Sequence, residues 1–70
     1  HIVNVYMLRE RENSNYYCKN RRWGPKMNSA KIFTELSEAR KTRASQKNMM
    51  GVKNPKIEIV EFQLSEKATL

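Results

Sequence analysis

The residues best able to do chemistry are the cations and aromatic rings that alternate between Tyr16 and Lys26. Nucleic-acid binding uses this pairing, because cations neutralise phosphates while flat rings and guanidinium planes stack on bases. The competing interpretation makes the rings part of the core and the cations a solvated loop, and Trp23 is then a core anchor. The candidate binding residues of this segment are Tyr17, Lys19, Arg21, Arg22, Trp23 and Lys26.

A second group of cations follows on a predicted helix. Arg40, Arg43 and Lys47 are spaced by three and four residues, which places them on one helix face. Such a face can lie along a phosphate backbone, or it can be an ordinary solvated surface. Glu35 and Glu38 are the only acids nearby, and this shortage of neutralising partners favours binding.

The net charge of +7 is unevenly distributed along the chain. The span from Lys19 to Lys56 holds 11 Lys and Arg against two Glu, or +9, so the two ends together carry −2. This asymmetry predicts a cationic surface that attracts a polyanion or an acidic protein. Solubility alone is the alternative explanation, since a charge of this size suits a small soluble domain.

Other chemistries have little support in the sequence. Cys18 is a single thiol without a usable His, so we expect a small buried hydrophobic side chain. Glu58 and Glu61 point to opposite faces of a predicted strand unless a bulge intervenes, so they do not form a catalytic pair. The spacing of residues provides neither a metal-ligand set nor a glycine-rich phosphate loop. The sequence therefore predicts a non-enzymatic protein without a cofactor or metal.

Length and composition predict one small cytoplasmic domain. A chain of 70 residues buries only about 60% of its unfolded surface, so its core is thin. One cysteine allows no internal disulfide and fits a reducing compartment. No apolar run approaches the roughly 18 residues of a membrane span, and no signal peptide is visible, so we expect no membrane partner. His1 stands where Met is expected and is left out of the chemical argument.

The first half of the chain predicts two strands. Residues 2–8 are β-branched and aromatic, with Val3, Val5 and Met7 on one side and Ile2, Tyr6 and Leu8 on the other. A strand that is apolar on both faces is usually central or covered. Residues 9–15 predict a hairpin connection, and residues 16–22 predict a second strand that ends near Trp23, before Gly24-Pro25.

Residues 26–33 leave two interpretations open. Asn28 or Ser29 could cap a helix start, or residues 31–33 could form a short strand before a helix capped at Thr34 or Ser37. The second is favoured because it gives Phe33 a core position. Residues 35–48 predict the helix, with a thin apolar stripe of Leu36 and Ala39, Ala44 as a further candidate, and the stem of Arg43 or Arg40 beside it.

The end of the chain predicts a helix stop, a loop and a last strand. Gly51 is available to end the helix, with Met49 and Met50 expected to tuck into the core, and residues 52–55 form the loop. Residues 56–64 predict a strand whose alternation changes phase, from Ile57 and Ile59 to Val60, Phe62 and Leu64. Either both faces are partly buried or a bulge lies near Ile59–Val60. Residues 65–70 are expected to be a loose tail.

Together these elements predict an α+β fold. We expect a three- or four-stranded, mostly antiparallel sheet with one helix packed on one face, in the order β-β-(β)-α-β. The first and last strands are similarly apolar, which predicts that they are central neighbours.

The sequence also carries a resemblance, in Tyr16-Tyr17, Trp23, Ala30-Lys31-Ile32-Phe33-Thr34, Glu38-Ala39 and Lys56 to Phe62. This pattern resembles small uncharacterised α+β proteins that are often encoded by bacteriophages, and it covers most of the chain. The resemblance implies a one-domain protein in the bacterial host cytoplasm, of a kind that often acts on host machinery or host defence. It implies no catalytic residue. The expected partner is therefore nucleic acid, either DNA or RNA, or else an acidic host protein, bound by a monomer or homodimer.

Overall fold

The computed structural model describes residues 2–49 and 56–70 of the chain. They form one four-stranded antiparallel sheet, in the order β3-β2-β1-β4, with one helix lying against β1 and β4. This confirms the predicted α+β fold with its helix on one face. The elements in chain order are β1 (Ile2–Glu10), β2 (Tyr16–Tyr17), a 3-10 turn (Lys19–Arg21), β3 (Trp23–Gly24), a second 3-10 turn (Met27–Ser29), α1 (Leu36–Met49) and β4 (Ile57–Ser65).

The strands β1 and β4 form the framework of the sheet. Their pairing runs without interruption from Ile2 opposite Ser65 to Glu10 opposite Ile57. No bulge therefore lies at residues 59–60, and the change of phase reflects a strand that is partly buried on both faces. The two strands are neighbours, as predicted, but only β1 is central. The prediction that β4 is central was wrong, because it lies at the edge of the sheet.

The predicted second strand over residues 16–22 is shorter than expected. It ends after Tyr17, and the chain reverses through the 3-10 turn so that Trp23 pairs with Tyr17 in a separate strand, β3. The reversal depends on Arg21, whose φ of 59° lies in the left-handed region. The amide of Cys18 donates to the carbonyl oxygen of Arg22 at 2.7 Å and closes the hairpin.

The segment before the helix is extended, as the favoured interpretation predicted, but the predicted helix cap at Thr34 or Ser37 was wrong, because α1 begins at Leu36 with Glu35 immediately before it. Ala30 bridges to Cys18, and Phe33 bridges to Tyr6 through two backbone hydrogen bonds of 2.8 Å. Phe33 is buried, as predicted. The segment forms two isolated bridges rather than a continuous strand. The edge of β1 that faces β2 therefore pairs with Tyr16 at Arg9 and with Phe33 at Tyr6.

The core lies between α1 and the sheet face that carries Leu8 and Ile57. It also contains Ala39, Tyr17 and Phe33. The helix contributes only Ala39 and Gln46 as buried residues. Burial of Gln46 was not predicted.

Three expectations for the helix have different outcomes. Ala44 is exposed, so its place in the apolar stripe was wrong. Met49 is also exposed and does not tuck into the core. The predicted stop at Gly51, the side chain of Met50 and the loop over residues 52–55 lie outside the described residues.

Candidate cationic cleft

An open cleft of about 490 Å³ lies between the β2–β3 hairpin and the last three turns of α1. Three cations from three separate segments line it: Arg21 from the hairpin turn, Lys31 from the extended segment and Lys41 from the helix. The rest of the lining is formed by Tyr17, Thr42, Ser45, Gln46 and Met49. The hydroxyl groups and cations of this cleft can donate hydrogen bonds to an anionic oxygen.

Arg21 owes its place in the cleft to an unusual backbone conformation. Its positive φ is uncommon for a residue other than Gly, Asn or Asp, and costs about 1–2 kcal/mol. The turn places the side chain in an exposed position at the hairpin tip. A charged residue therefore occupies a position where glycine would relieve backbone strain.

Lys31 is held by its neighbours on both backbone and side chain. Its amide donates to the carbonyl oxygen of Tyr17 at 2.8 Å, which ties the extended segment to β2. Its ammonium nitrogen lies 5.2 Å from the centre of the Phe33 ring. A cation over a ring at this distance gains about 0.5–1 kcal/mol where it is exposed. The charge is thus anchored at one end while its donors remain open to solvent.

Gln46 joins the helix to the hairpin at the back of the cleft. The Trp23 Nε1 donates to its Oε1 at 3.4 Å, and Gln46 is only 6% exposed. The Trp23 ring packs edge-on against Tyr17, with 5.5 Å between ring centres. The hydrogen bond between Trp23 and Gln46 connects the wall that carries Arg21 to the wall that carries Lys41.

Few of the surrounding cations have an acidic partner. Residues 19–47 contain nine Lys and Arg against two Glu, which is the whole net charge of +7, while the rest of the chain carries five of each sign. Within residues 2–49 and 56–70, Lys41 is the only one of the nine in an ion pair, at 3.8 Å from Glu38. Both partners are exposed, and such a pair contributes little stability.

Acidic residues lie beside the cleft. A neighbouring depression shares Lys31 and Thr42 with it and is also lined by Glu35 and Glu38. These carboxylates repel an anion, so the favourable region runs from Lys31 towards Arg21 and the end of the helix. An anionic ligand is thereby directed past the hairpin rather than along the start of α1.

The aromatic residues of the predicted binding set serve the core. Tyr17 is 6% exposed and is packed between Trp23 and Phe33. Trp23 is partly buried against the same cluster. Only the edge of Tyr17 reaches the cleft wall, which leaves cations and hydroxyl groups as its main contact chemistry.

The remaining predicted cations are divided between two surfaces. Lys19, Arg22 and Lys26 are exposed on or beside the hairpin. Arg40 and Lys47 are exposed on α1 and Arg43 is half-buried, but none of these three lines the cleft. At about 100° per residue they share a helix side away from Lys41 and Ser45, as their spacing predicted.

Sequence reasoning left Lys31 and Lys41 out of the binding set. The spacing of three and four residues selects Arg40, Arg43 and Lys47 as one helix face and leaves Lys41 outside it. The buried pair is Ala39 and Gln46, seven residues apart, which turns Lys41 towards the hairpin. For Lys31, the available signal was its place between two apolar residues of the core-forming segment, Ala30 and Phe33.

The described part of the chain lacks two other kinds of feature. Residues 2–49 and 56–70 contain no group of three or more His, Cys, Asp or Glu placed to hold a metal ion. Among the same residues, no helix is long and apolar enough to cross a membrane. A scan against protein-family models finds no match, and neither the curated proteins nor the solved structures include a significant match to this chain.

Proposed function

We propose that this protein is a non-enzymatic binding module for the phosphate backbone of nucleic acid. The observation that carries the proposal is the convergence of Arg21, Lys31 and Lys41 on one open cleft, from three segments distant in sequence. Of these three cations only Lys41 has an acidic partner among the described residues, the exposed Glu38, and like charges brought together repel one another, which costs stability. A polyanion that lies in the cleft relieves this repulsion and releases its own counterions.

Backbone contact is favoured over base stacking by the placement of the rings. Tyr17 and Phe33 are buried, and Trp23 is held by Tyr17 and Gln46. Single-strand binders that are indifferent to sequence use exposed rings as platforms for bases. Here the exposed groups are cations and hydroxyls, which suit a duplex whose phosphates face outwards and whose bases remain stacked.

The cations outside the cleft lie on two other surfaces. Lys19, Arg22 and Lys26 are exposed on or beside the hairpin, and Arg40 and Lys47 are exposed on a side of α1 away from Lys41. Phosphate contacts position a protein without specifying sequence. We therefore expect affinity for many sequences, with a strong dependence on salt.

The test is fluorescence anisotropy with a labelled DNA duplex and with single strands of DNA and RNA, over a range of salt concentrations. The cleft variant carries Arg21→Ala, Lys31→Ala and Lys41→Ala. The matched control carries Arg11→Ala, Lys56→Ala and Lys67→Ala, which removes the same three charges from exposed positions elsewhere and leaves the same net charge of +4.

We expect the logarithm of the wild-type association constant to fall linearly with the logarithm of salt concentration. Each lost phosphate contact reduces the slope by about 0.9 on B-form DNA, so the cleft variant should lose about 2–3 and the control much less. Equal losses in both variants would assign the binding to bulk charge. No binding at low salt with the fold intact would overturn the proposal, and the search would move to acidic proteins.

A further inference from the structure

The second unassigned surface is the outer edge of β4, which pairs with no strand among residues 2–49 and 56–70. This strand is nine residues long and is the last in the sheet, whereas the opposite edge, β3, has two residues. The Arg11 amide donates to the carbonyl oxygen of Lys56 at 2.9 Å, which sets which β4 residues bond to β1. By the alternation of an antiparallel ladder, the outward N–H and C=O groups belong to Ile57, Ile59, Glu61, Gln63 and Ser65.

This edge lacks most of the devices that keep a strand from pairing. Between Ile57 and Ser65 there is no Pro, Lys or Arg, and the register with β1 has no bulge. Its charges are Glu58 and Glu61. Glu58 is already bound by Arg9 at 2.6 Å and lies near Arg11 at 3.6 Å. Glu61 is thus the only unpaired charge along this edge.

The sheet face turned away from α1 adds an apolar surface beside the edge. Val3, Ile32 and Leu64 are each about half exposed, at 50%, 50% and 52%, and surround the buried Val5. The three lie on different strands or segments, so the patch is continuous across the sheet. This surface is exposed although Val5 and Met7, which lie on the same face of β1, are buried.

The distribution of charge indicates what can approach this edge. The whole net charge of +7 belongs to residues 19–47, and the residues outside that span balance to zero. Two copies of the chain therefore repel one another most strongly through the hairpin and helix surfaces. Along β4 the charge of Glu58 is matched by Arg9 and Arg11 and Glu61 is the one charge unpaired among the described residues, so an identical copy meets less repulsion at this edge than at the hairpin or the helix.

We infer that a second copy of this chain pairs with β4 in antiparallel orientation and extends the sheet to eight strands. Registers centred on Val60 or Phe62 avoid placing Glu61 opposite its own copy, which would be destabilising. The two-fold axis is then perpendicular to the sheet. Both helices lie on one face of the dimer and both apolar patches lie on the other, so the two cationic clefts face the same side.

The inference is tested by sedimentation of the full chain over protein concentrations from about 10 µM to about 1 mM, since association depends on concentration. A species of twice the 8.3 kDa chain is expected at the upper end. Gln63→Pro removes an outward N–H without removing a bond to β1, and should yield monomer. Gln63→Ala retains the N–H and should still dimerise.

A second variant and a second measurement separate the alternatives. Val3→Ser with Leu64→Ser weakens a dimer that packs through the apolar face, and should leave an edge-paired dimer intact. Amide exchange of the wild-type chain should show Ile59, Glu61 and Gln63 becoming protected as concentration rises, independently of any variant that fails to fold. A monomer at all concentrations, or a dimer that survives Gln63→Pro and is lost in the serine variant, would overturn the inference.

Discussion

The two halves of this small molecule treat their charges in opposite ways. Outside residues 19–47, in the part of the chain that includes β1 and β4, charges of both signs are equal in number and several are matched, as in the hydrogen-bonded pair of Arg9 and Glu58 and the looser pair of Lys56 and Glu12. In residues 19–47, nine cations face two acids and only Lys41 has an acidic partner in the described chain. Matched charges cost a fold little, whereas unmatched like charges oppose it.

The difference supports placing the proposed binding surface on the hairpin and helix. The strand pair provides length, register and a continuous ladder, so its charges are explained by stability and solubility. The hairpin and helix bring Arg21, Lys31 and Lys41 together at an electrostatic cost, and Arg21 also occupies a strained backbone position. Costs of this kind concentrate where a ligand offsets them. We therefore expect the removal of a cation to change stability in opposite directions in the two halves.

The largest expected effect tests whether the two halves share one core. Leu8 is fully buried in β1 and belongs to the same cluster as Ala39 of the helix and Tyr17 of the hairpin. Leu8→Ala should reduce the free energy of unfolding by about 2–5 kcal/mol. Urea unfolding followed by Trp23 fluorescence and by helical circular dichroism should shift together.

The control for this prediction is Leu64→Ala, on the neighbouring strand. Leu64 is 52% exposed, so its truncation should change the stability of the monomer by about 0.5 kcal/mol or less. If the fluorescence and dichroism transitions of Leu8→Ala separated, the hairpin and helix would not depend on the core of the strand pair. The comparison would then be between two independent units.

The same contrast explains how much of the structure the sequence predicts. The strands β1 and β4 and the helix follow from long apolar or helix-forming patterns, and their order determines the α+β class. The apparent change of phase in β4 is not caused by a bulge, because the register with β1 is unbroken. It arises because both faces of the strand are partly buried. Long elements with many residues in agreement are predicted well because no single residue decides them.

The hairpin and the cleft depend on single residues and are predicted less well. The turn at residues 19–21 rests on the positive φ of Arg21, a position at which the sequence has neither Gly nor Asn. The helix orientation rests on Gln46, a polar residue that is buried because it accepts the Trp23 N–H. Neither feature has a local pattern, so Lys31 and Lys41 were not recognised as partners of Arg21.

A smaller effect is expected from pH in the strand pair. The hydrogen bond from Arg9 holds the pKa of the Glu58 carboxyl below its ordinary value of 4.5, against the opposing effect of partial burial, and the charges of Arg9 and Arg11 add to it. A carboxyl with a lower pKa when folded stabilises the fold fully above its unfolded pKa. That contribution is lost as the pH falls through the lowered folded value.

Unfolding curves measured between pH 7 and pH 3 should therefore show a loss of stability below about 4.5 that Glu58→Gln reduces. Glu61→Gln is the matched control, because Glu61 is exposed on the same strand and has no ion pair among the described residues. An unchanged pH dependence in Glu58→Gln would mean that the pair with Arg9 contributes nothing to stability.

The smallest expected effect is a gain in stability, whereas most substitutions reduce stability. Lys47 is exposed on α1, and no carboxylate pairs with it in the part of the chain described here. Lys47→Gln removes a like-charge repulsion and should raise the free energy of unfolding by about 0.5 kcal/mol or less at low salt, with the gain shrinking as salt rises. Its position in the last helical turn opposes this gain, because a cation there interacts favourably with the helix dipole.

Arg9→Gln, which removes a matched cation, should instead lower stability. If both variants were destabilised alike in urea unfolding, the cations of α1 would be structural and the contrast between the halves would fail.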